Sequence, residues 1–187
     1  KAFLGDDLKA IEEVKKKEGH VNNLRDLIIK YLSSMFSTET VTEKQAMTIS
    51  GMMHVVADVE HVGDNCDNIA DFAREKIDGG YVFSDKACAE IYQCFDHVSK
   101  MLDNSIEALG SSNTDLAKLV KQQEDELDTM ESEYRLRHMR RLDSGECSPE
   151  FTVLYMDVIH NIERMGDNCE NIANAVLDNL KIDDMEE

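Results

Sequence analysis

Residues 60–72 read "EHVGDNCDNIADF" and residues 163–175 read "ERMGDNCENIANA", nearly the same phrase at an offset of 103 residues. At 100° per residue, Val59, Val62, Cys66, Ile69, Ala70 and Ala73 fall on one stripe of a helix, as do Ile162, Met165, Cys169, Ile172, Ala173 and Val176 in the second copy. Both stripes are read as core faces, and the paired cysteines as small buried hydrophobes. Working outward, the preceding segments also match. "VKKKEGHVNNL" at residues 14–24 answers "VKQQEDELDTM" at residues 120–130, and "FLGDDL" near the start answers "ALGSSNTDL". The chain is therefore expected to be all-α, built of two tandem three-helix bundle repeats, residues 1–80 and 81–187. The first helix of the first repeat is largely missing, so the first half should be open along one side unless another segment or a partner covers it.

Breakers and caps divide the chain. One proline and nine glycines in 187 residues leave long uninterrupted runs. Helices are expected over about 6–36, 43–78, 85–109, 114–142 and 149–180. Thr42 and Gln45 have capping-box spacing, Ser84 can cap the third helix, Gly110 closes it, and Ser148-Pro149 is a favoured helix start. "STETVTEKQ" is read as the break between the first two helices.

Thirty-nine acids against 20 Lys plus Arg give a net charge of −19, which disfavours nucleic acid and anionic surfaces and favours cations or basic partners. Five cysteines, an odd number with no C-x-x-C, point to reduced thiols and a cytoplasmic setting. No apolar run is long enough to span a membrane. The start at Lys1, in what reads as the end of a helix, suggests a fragment of something longer.

A second stripe on each repeated helix carries the chemistry. Glu60, Asp64, Asp67, Asn68 and Asp71 lie away from the core, and Glu163, Asp167, Glu170, Asn171 and Asn174 repeat them. Like charges four apart repel by a few tenths of a kcal/mol, about the amount an intervening lysine would relieve, and the stripes contain no lysine. Hard cations with oxygen ligands would neutralise them. The expected ligands are Glu60, Asp64 and Asn68 in the first half, and Glu163, Asp167 and Asn171 with Asp125 and Asp128 in the second. Glu124 and Glu131 share the latter helix. The matching first-half positions are Glu18, Gly19, Asn22 and Arg25, so the second-half site is expected to bind metal better. Gly63 and Gly166 sit between the core and acid stripes, where a missing side chain lets a neighbouring helix approach.

The phrase Glu-x-x-Gly-Asp-x-x-x-Asn-Ile-Ala, twice, each time on the third helix of a three-helix unit, resembles the PhoU family of regulators of bacterial phosphate uptake. "ERMGDNCENIA" fits the family pattern with Met165 for the usual Ile, and "EHVGDNCDNIA" departs at His61, where Arg is common. The resemblance implies paired three-helix bundles with surface metal clusters of iron or similar ions, manganese, zinc and magnesium being the other ions considered. Glu60 with Asp64, and Glu163 with Asp167, match the family's metal motif. It also implies a non-enzymatic, regulatory role on a phosphate transporter membrane domain or a sensor kinase, peripheral to or tethered at the cytoplasmic face of the membrane, as in PhoU-like domains attached to sodium/phosphate cotransporter-related proteins. A homodimer would cover the open side. The rival readings are a metal-free helical interaction module whose acidic faces recruit a basic partner, and a di-iron oxidase. The latter needs inward Glu-x-x-His pairs, which the sequence lacks. None of the six histidines is singled out by pattern.

Overall fold

The computed structural model describes residues 2–36, 41–178 and 180. Five long helices follow one another: α1 (Leu8–Met35), α2 (Glu43–Asp78), α3 (Asp85–Ser111), α4 (Thr114–Asp143) and α5 (Thr152–Leu177), with a short 3-10 turn, Pro149–Phe151, leading into α5. Among the described residues there is no strand. The starts obey local chemistry. Asp7 caps α1 from its carboxylate, Thr42 and Gln45 close the capping box of α2, Ser84 accepts from Ala87 N–H, and Asn113 accepts from Asp115 and Leu116 N–H.

Three boundaries differ from expectation. Gly110 lies inside α3, which runs on to Ser111; Ser112, at φ 50°, takes the left-handed conformation that ends it. Ser148 makes no side-chain cap, and its proline opens the 3-10 turn instead. The last helix stops at Leu177 rather than near residue 180, while residues 37–40 of the expected "STETVTEKQ" break, residue 179 and residues 181–187 lie outside the described residues.

The two repeated helices, α2 and α5, pack on each other at the centre. α3 and α4 pack on α5 and on each other to complete a three-helix bundle, whereas α1 packs on α2. One core joins the halves, running from Phe3, Ile11, Ile69 and Ala73 through Ile91 and Met101 to Leu127, Tyr155 and Ile162. The seam between α2 and α5 is polar at two matched places. Asn68 Nδ2 donates to Asn161 Oδ1 at 3.0 Å, and Asn171 Nδ2 donates to Asp58 Oδ1 at 3.2 Å. Both pairs are the same two repeat positions, seen from either side of an approximate twofold.

The expected core stripe of the second copy is buried throughout, from Ile162 to Val176. In the first copy Val62, Ile69, Ala70 and Ala73 are buried, but Cys66 is only partly buried and Val59 is 36% exposed. The cause is the open side anticipated from the repeat. Val59 lines a groove of about 390 Å³ with Val21, Ile28, Met52 and Leu109, and Leu24 beside it is 58% exposed. The first half has two helices and a short turn at residues 2–6 where the second has three helices.

The two repeat glycines behave differently. A Cβ on Gly166 would stand 2.5 Å from Leu127 Cδ2, so a larger residue there requires the buried Leu127 side chain to shift. A Cβ on Gly63 would meet Val21 at 3.6 Å, an ordinary contact. Leu127 and Val21 occupy the same repeat position, and the smaller Val21 leaves the room. Gly63→Ala should therefore be neutral or stabilising by up to about 1 kcal/mol, the helix-propensity difference between the two residues. Gly166→Ala should destabilise by about 1–3 kcal/mol through overpacking. Chemical denaturation of the two variants checks the contrast, and equal effects would contradict it.

Candidate metal centre

Helices α4 and α5 pack along facing edges, with Leu127 on Gly166 at the contact. Glu124, Asp128 and Glu131 follow one another at spacings of four and three on α4, and Glu163, Asp167 and Glu170 do the same on α5. The two ladders feel each other. Burial, then the charges of Asp167, Glu131 and Asp128, pushes Glu163 up to about 7. Burial, then Asp128 and Glu170, pushes Glu124 up to about 7. Asp167 is raised as well, first by burial and then by Asp128 and Glu170, although Arg164 opposes the shift. Two carboxyls that hold protons near neutrality mark a place with more negative charge than its own cations balance.

At one end of the groove the donors converge. One ligand atom each from Glu131, His160 and Glu163 lies within 4.8 Å of the others. His160 Nδ1 is 3.3 Å from Glu163 Oε2 and 3.9 Å from Glu131 Oε1. Two carboxylates and an imidazole at this separation fit the donor set of iron, manganese or zinc. The edges of the groove are closed by fixed cations: Lys121 bonds Glu170 at 2.5 Å and Asn174 at 2.9 Å, and Arg135 pairs with Glu131 at 2.8 Å.

Of the expected second-half ligands, Glu163, Asp167 and Asp128 come together. Asp125 does not: it is exposed and turned away, one residue of helix phase from Glu124, which takes its place. Asn171 spends its amide N–H on Asp58 across the seam. His160, Glu124 and Glu131 complete the group. The signal for His160 was available in its position three residues before Glu163, on the same face.

The first half has the same frame with opposite chemistry. Lys15 stands where Lys121 does and pairs with Asp67 at 3.1 Å and Asp71 at 2.7 Å. At the position of Glu131 is Arg25, whose Nη2 lies 2.8 Å from Glu60 Oε1, with Glu60 only 6% exposed. The position of His160 is Ala57. Glu18 and Asn22 bond each other. Asp64 is exposed overall, its carboxyl raised by partial burial and then by Glu60, and Asn68 bonds across the seam. Glu60 is thus paired with the Arg25 guanidinium and Asn68 with Asn161, so the structure does not bring Glu60, Asp64 and Asn68 together as it does the second-half acids.

Comparison with known proteins bears on this arrangement. The model of the PhoU domain matches residues 1–73 and 91–176, that is, both halves. A phosphate-specific transport system accessory protein PhoU homolog of Thermotoga maritima is 26% identical over 72% of this chain and 57% of that protein, so the chain spans little more than half its length. A PhoU homolog of Synechocystis carrying the same description is 23% identical over 94% of this chain and 76% of that protein. The crystal structure of PhoU from Pseudomonas aeruginosa superposes with a TM-score of 0.85 at 20% identity, over 94% of this chain and 83% of that chain, a likeness of fold.

The raised carboxyls fix the sign of a pH effect in the metal-free protein. Glu163 and Glu124 bind protons up to about 7 in the fold, against an ordinary value of 4.5. Between these values the folded state holds more protons than the unfolded chain, so stability is present at the acidic end and is lost as pH rises through the window. In excess chelator, the melting temperature should fall from about pH 5 to about pH 7.5, and Glu163→Gln should flatten that fall and raise the value at the upper end. Circular-dichroism melts across the range check this; parallel curves for the two proteins would refute it.

Proposed function

The chain belongs to the PhoU family, and we propose that it is a non-enzymatic accessory component of phosphate uptake whose α4–α5 groove takes up a metal ion. The observation that carries the metal reading is the convergence of Glu131, His160 and Glu163, flanked by the crowded carboxyls of Glu124, Asp128 and Asp167. The imidazole favours iron, manganese or zinc over magnesium. Bound there, the ion would supply the positive charge that the facing ladders lack, tie α4 to α5 and displace the protons held by Glu163 and Glu124. Because the first half carries Arg25 in place of that ion, the chain takes metal on one half only. The regulatory partner in this proposal is a phosphate transporter, or a sensor kinase coupled to it, at the cytoplasmic face of the membrane. No helix among the described residues is long and apolar enough to cross a membrane, so a place at the membrane would come through that partner or a tether.

Metal titration by calorimetry, with the bound metal counted after dialysis, tests the site. Even outer-shell changes at metal sites cost about 10–100-fold in affinity, so Glu163→Gln and Asp167→Ala should each weaken binding at least that much. Asp64→Ala should leave it within about twofold, since Asp64 belongs to the half whose acids are already neutralised. Arg25→Glu combined with Ala57→His should add a second class of site. Equal loss from Asp64→Ala and Asp167→Ala would sink the one-sided reading. For the cellular role, phosphate uptake in a strain lacking the chain should become insensitive to external phosphate and recover with the wild type but not with Asp167→Ala.

A further inference from the structure

We propose that the concave face between the start of α3 and the end of α4 is a binding site for a phosphoryl oxyanion. The cavity, about 570 Å³, is lined by Lys86 and Glu90 of α3, by Arg137, Arg140 and Arg141 of α4, and by Glu146 beyond it. In a chain of net charge −19, this hollow sets four basic side chains against the lining acids Glu90 and Glu146 and the Glu133 that pairs with Arg137.

The floor is rigid and its acid is already neutral in effect. Arg141 forks onto Glu90, Nη1 to Oε1 at 2.9 Å and Nη2 to Oε2 at 2.7 Å, and Tyr155 Oη adds a bond to Glu90 Oε2 at 2.7 Å. Arg141 and Glu90 are each only 6% exposed. Arg141 also lies over the Tyr155 ring, and His138 stacks on that ring with centroids 4.4 Å apart. At the rim, Glu146 is taken by Lys86 at 3.1 Å and by Ser144 Oγ at 3.2 Å. Arg137 is held against the Tyr134 ring and pairs with Glu133 at 2.7 Å. Arg140 is exposed, and its guanidinium has no hydrogen bond or ion pair among the described residues. Arg141, Lys86 and Arg137 are each paired with an acid, and Arg140 is the cation of the hollow left without one among the described residues.

Helix geometry alone does not demand these arginines. Cations do favour the negative end of a helix dipole. Yet α1, which occupies the same place in the first repeat, ends with no basic residue in its last turn. Its residues at the positions of Arg137, Arg140 and Arg141 are Tyr31, Ser34 and Met35. The basic set is specific to the second half. The free Arg140 guanidinium can bind a tetrahedral oxyanion, whose further oxygens can compete with the exposed Glu133 and Glu146 for Arg137 and Lys86. Free orthophosphate and the phosphate of an anionic lipid headgroup share this chemistry.

The test uses the whole chain in chelator, so that no ion in the α4–α5 groove can answer for it. Inorganic phosphate is titrated against the amide NMR spectrum. In parallel, flotation is measured on phosphatidylglycerol vesicles, with phosphatidylcholine vesicles as control. The expected result is saturable phosphate binding with shifts around Lys86 and Arg140, weakened at least about tenfold by Arg140→Gln and by Arg137→Gln but not by Lys118→Gln elsewhere on α4. Circular dichroism confirms that these surface variants remain folded. Phosphate binding without flotation identifies the free ion as the ligand; flotation that depends on Arg137 and Arg140, without phosphate binding, identifies the headgroup. The absence of both, or binding indifferent to Arg137 and Arg140, overturns the proposal and leaves the metal reading untouched.

Discussion

The second half is governed electrostatically by two facing ladders of carboxylates, Glu124, Asp128 and Glu131 on α4 and Glu163 and Asp167 on α5. Beneath them the buried Leu127 packs on α5 at Gly166. Burying like charges together is unfavourable, and the protein relieves the repulsion by keeping Glu163 and Glu124 protonated toward neutrality. Leu127 stabilises the helix pair through burial.

The first half shows what that frame becomes when the charge is supplied from within. Val21 in place of Leu127 relaxes the contact with Gly63. Arg25 in place of Glu131 turns an acid pair into a salt bridge with a buried glutamate. Lys15 and Lys121, by contrast, do the same job in both halves, each pairing with the acids of the following repeat helix. The duplication keeps its flanking lysines and differs where the preceding helix faces Glu60 or Glu163, with Arg25 for Glu131 and Asn22 for Asp128, and at Ala57 for His160 on the repeated helix.

Much of this arrangement is legible in the amino-acid sequence. The helices follow from caps and breakers, since a Thr-x-x-Gln box or an Asn at a helix start acts within one turn. The pairing of the ladders follows from the repeat. What stays hidden at that level depends on phase and on neighbours. Asp125 and Glu124 differ by one residue, about 100° of rotation, and both are acidic, so only the packed position of α4 selects Glu124. Asn68 and Asn171 lie in register with the acids, but their amides meet the opposite half, and which helix lies across from a polar face is a tertiary fact. Val59 follows the apolar period and still faces an uncovered groove. His160 is exposed, and its use depends on Glu131 arriving from another helix.

An ion taken up by the facing carboxylates of α4 and α5, as proposed, would become a structural element. Any ion that binds the folded groove and not the unfolded chain stabilises the fold by mass action, in proportion to the logarithm of its concentration over its dissociation constant. The contacts α4 makes with α5 are those the ion would reinforce, whereas α1 and α2 are held by Arg25, Lys15 and their apolar faces whatever the metal supply. Arg140 and the Arg141–Glu90–Tyr155 network lie on α4 and its two packing partners. The acids at 124–131 lie in the middle of α4 and Arg140 and Arg141 at its end, so if both proposed sites take their ions, a change in how α4 sits on α5 would be felt at both.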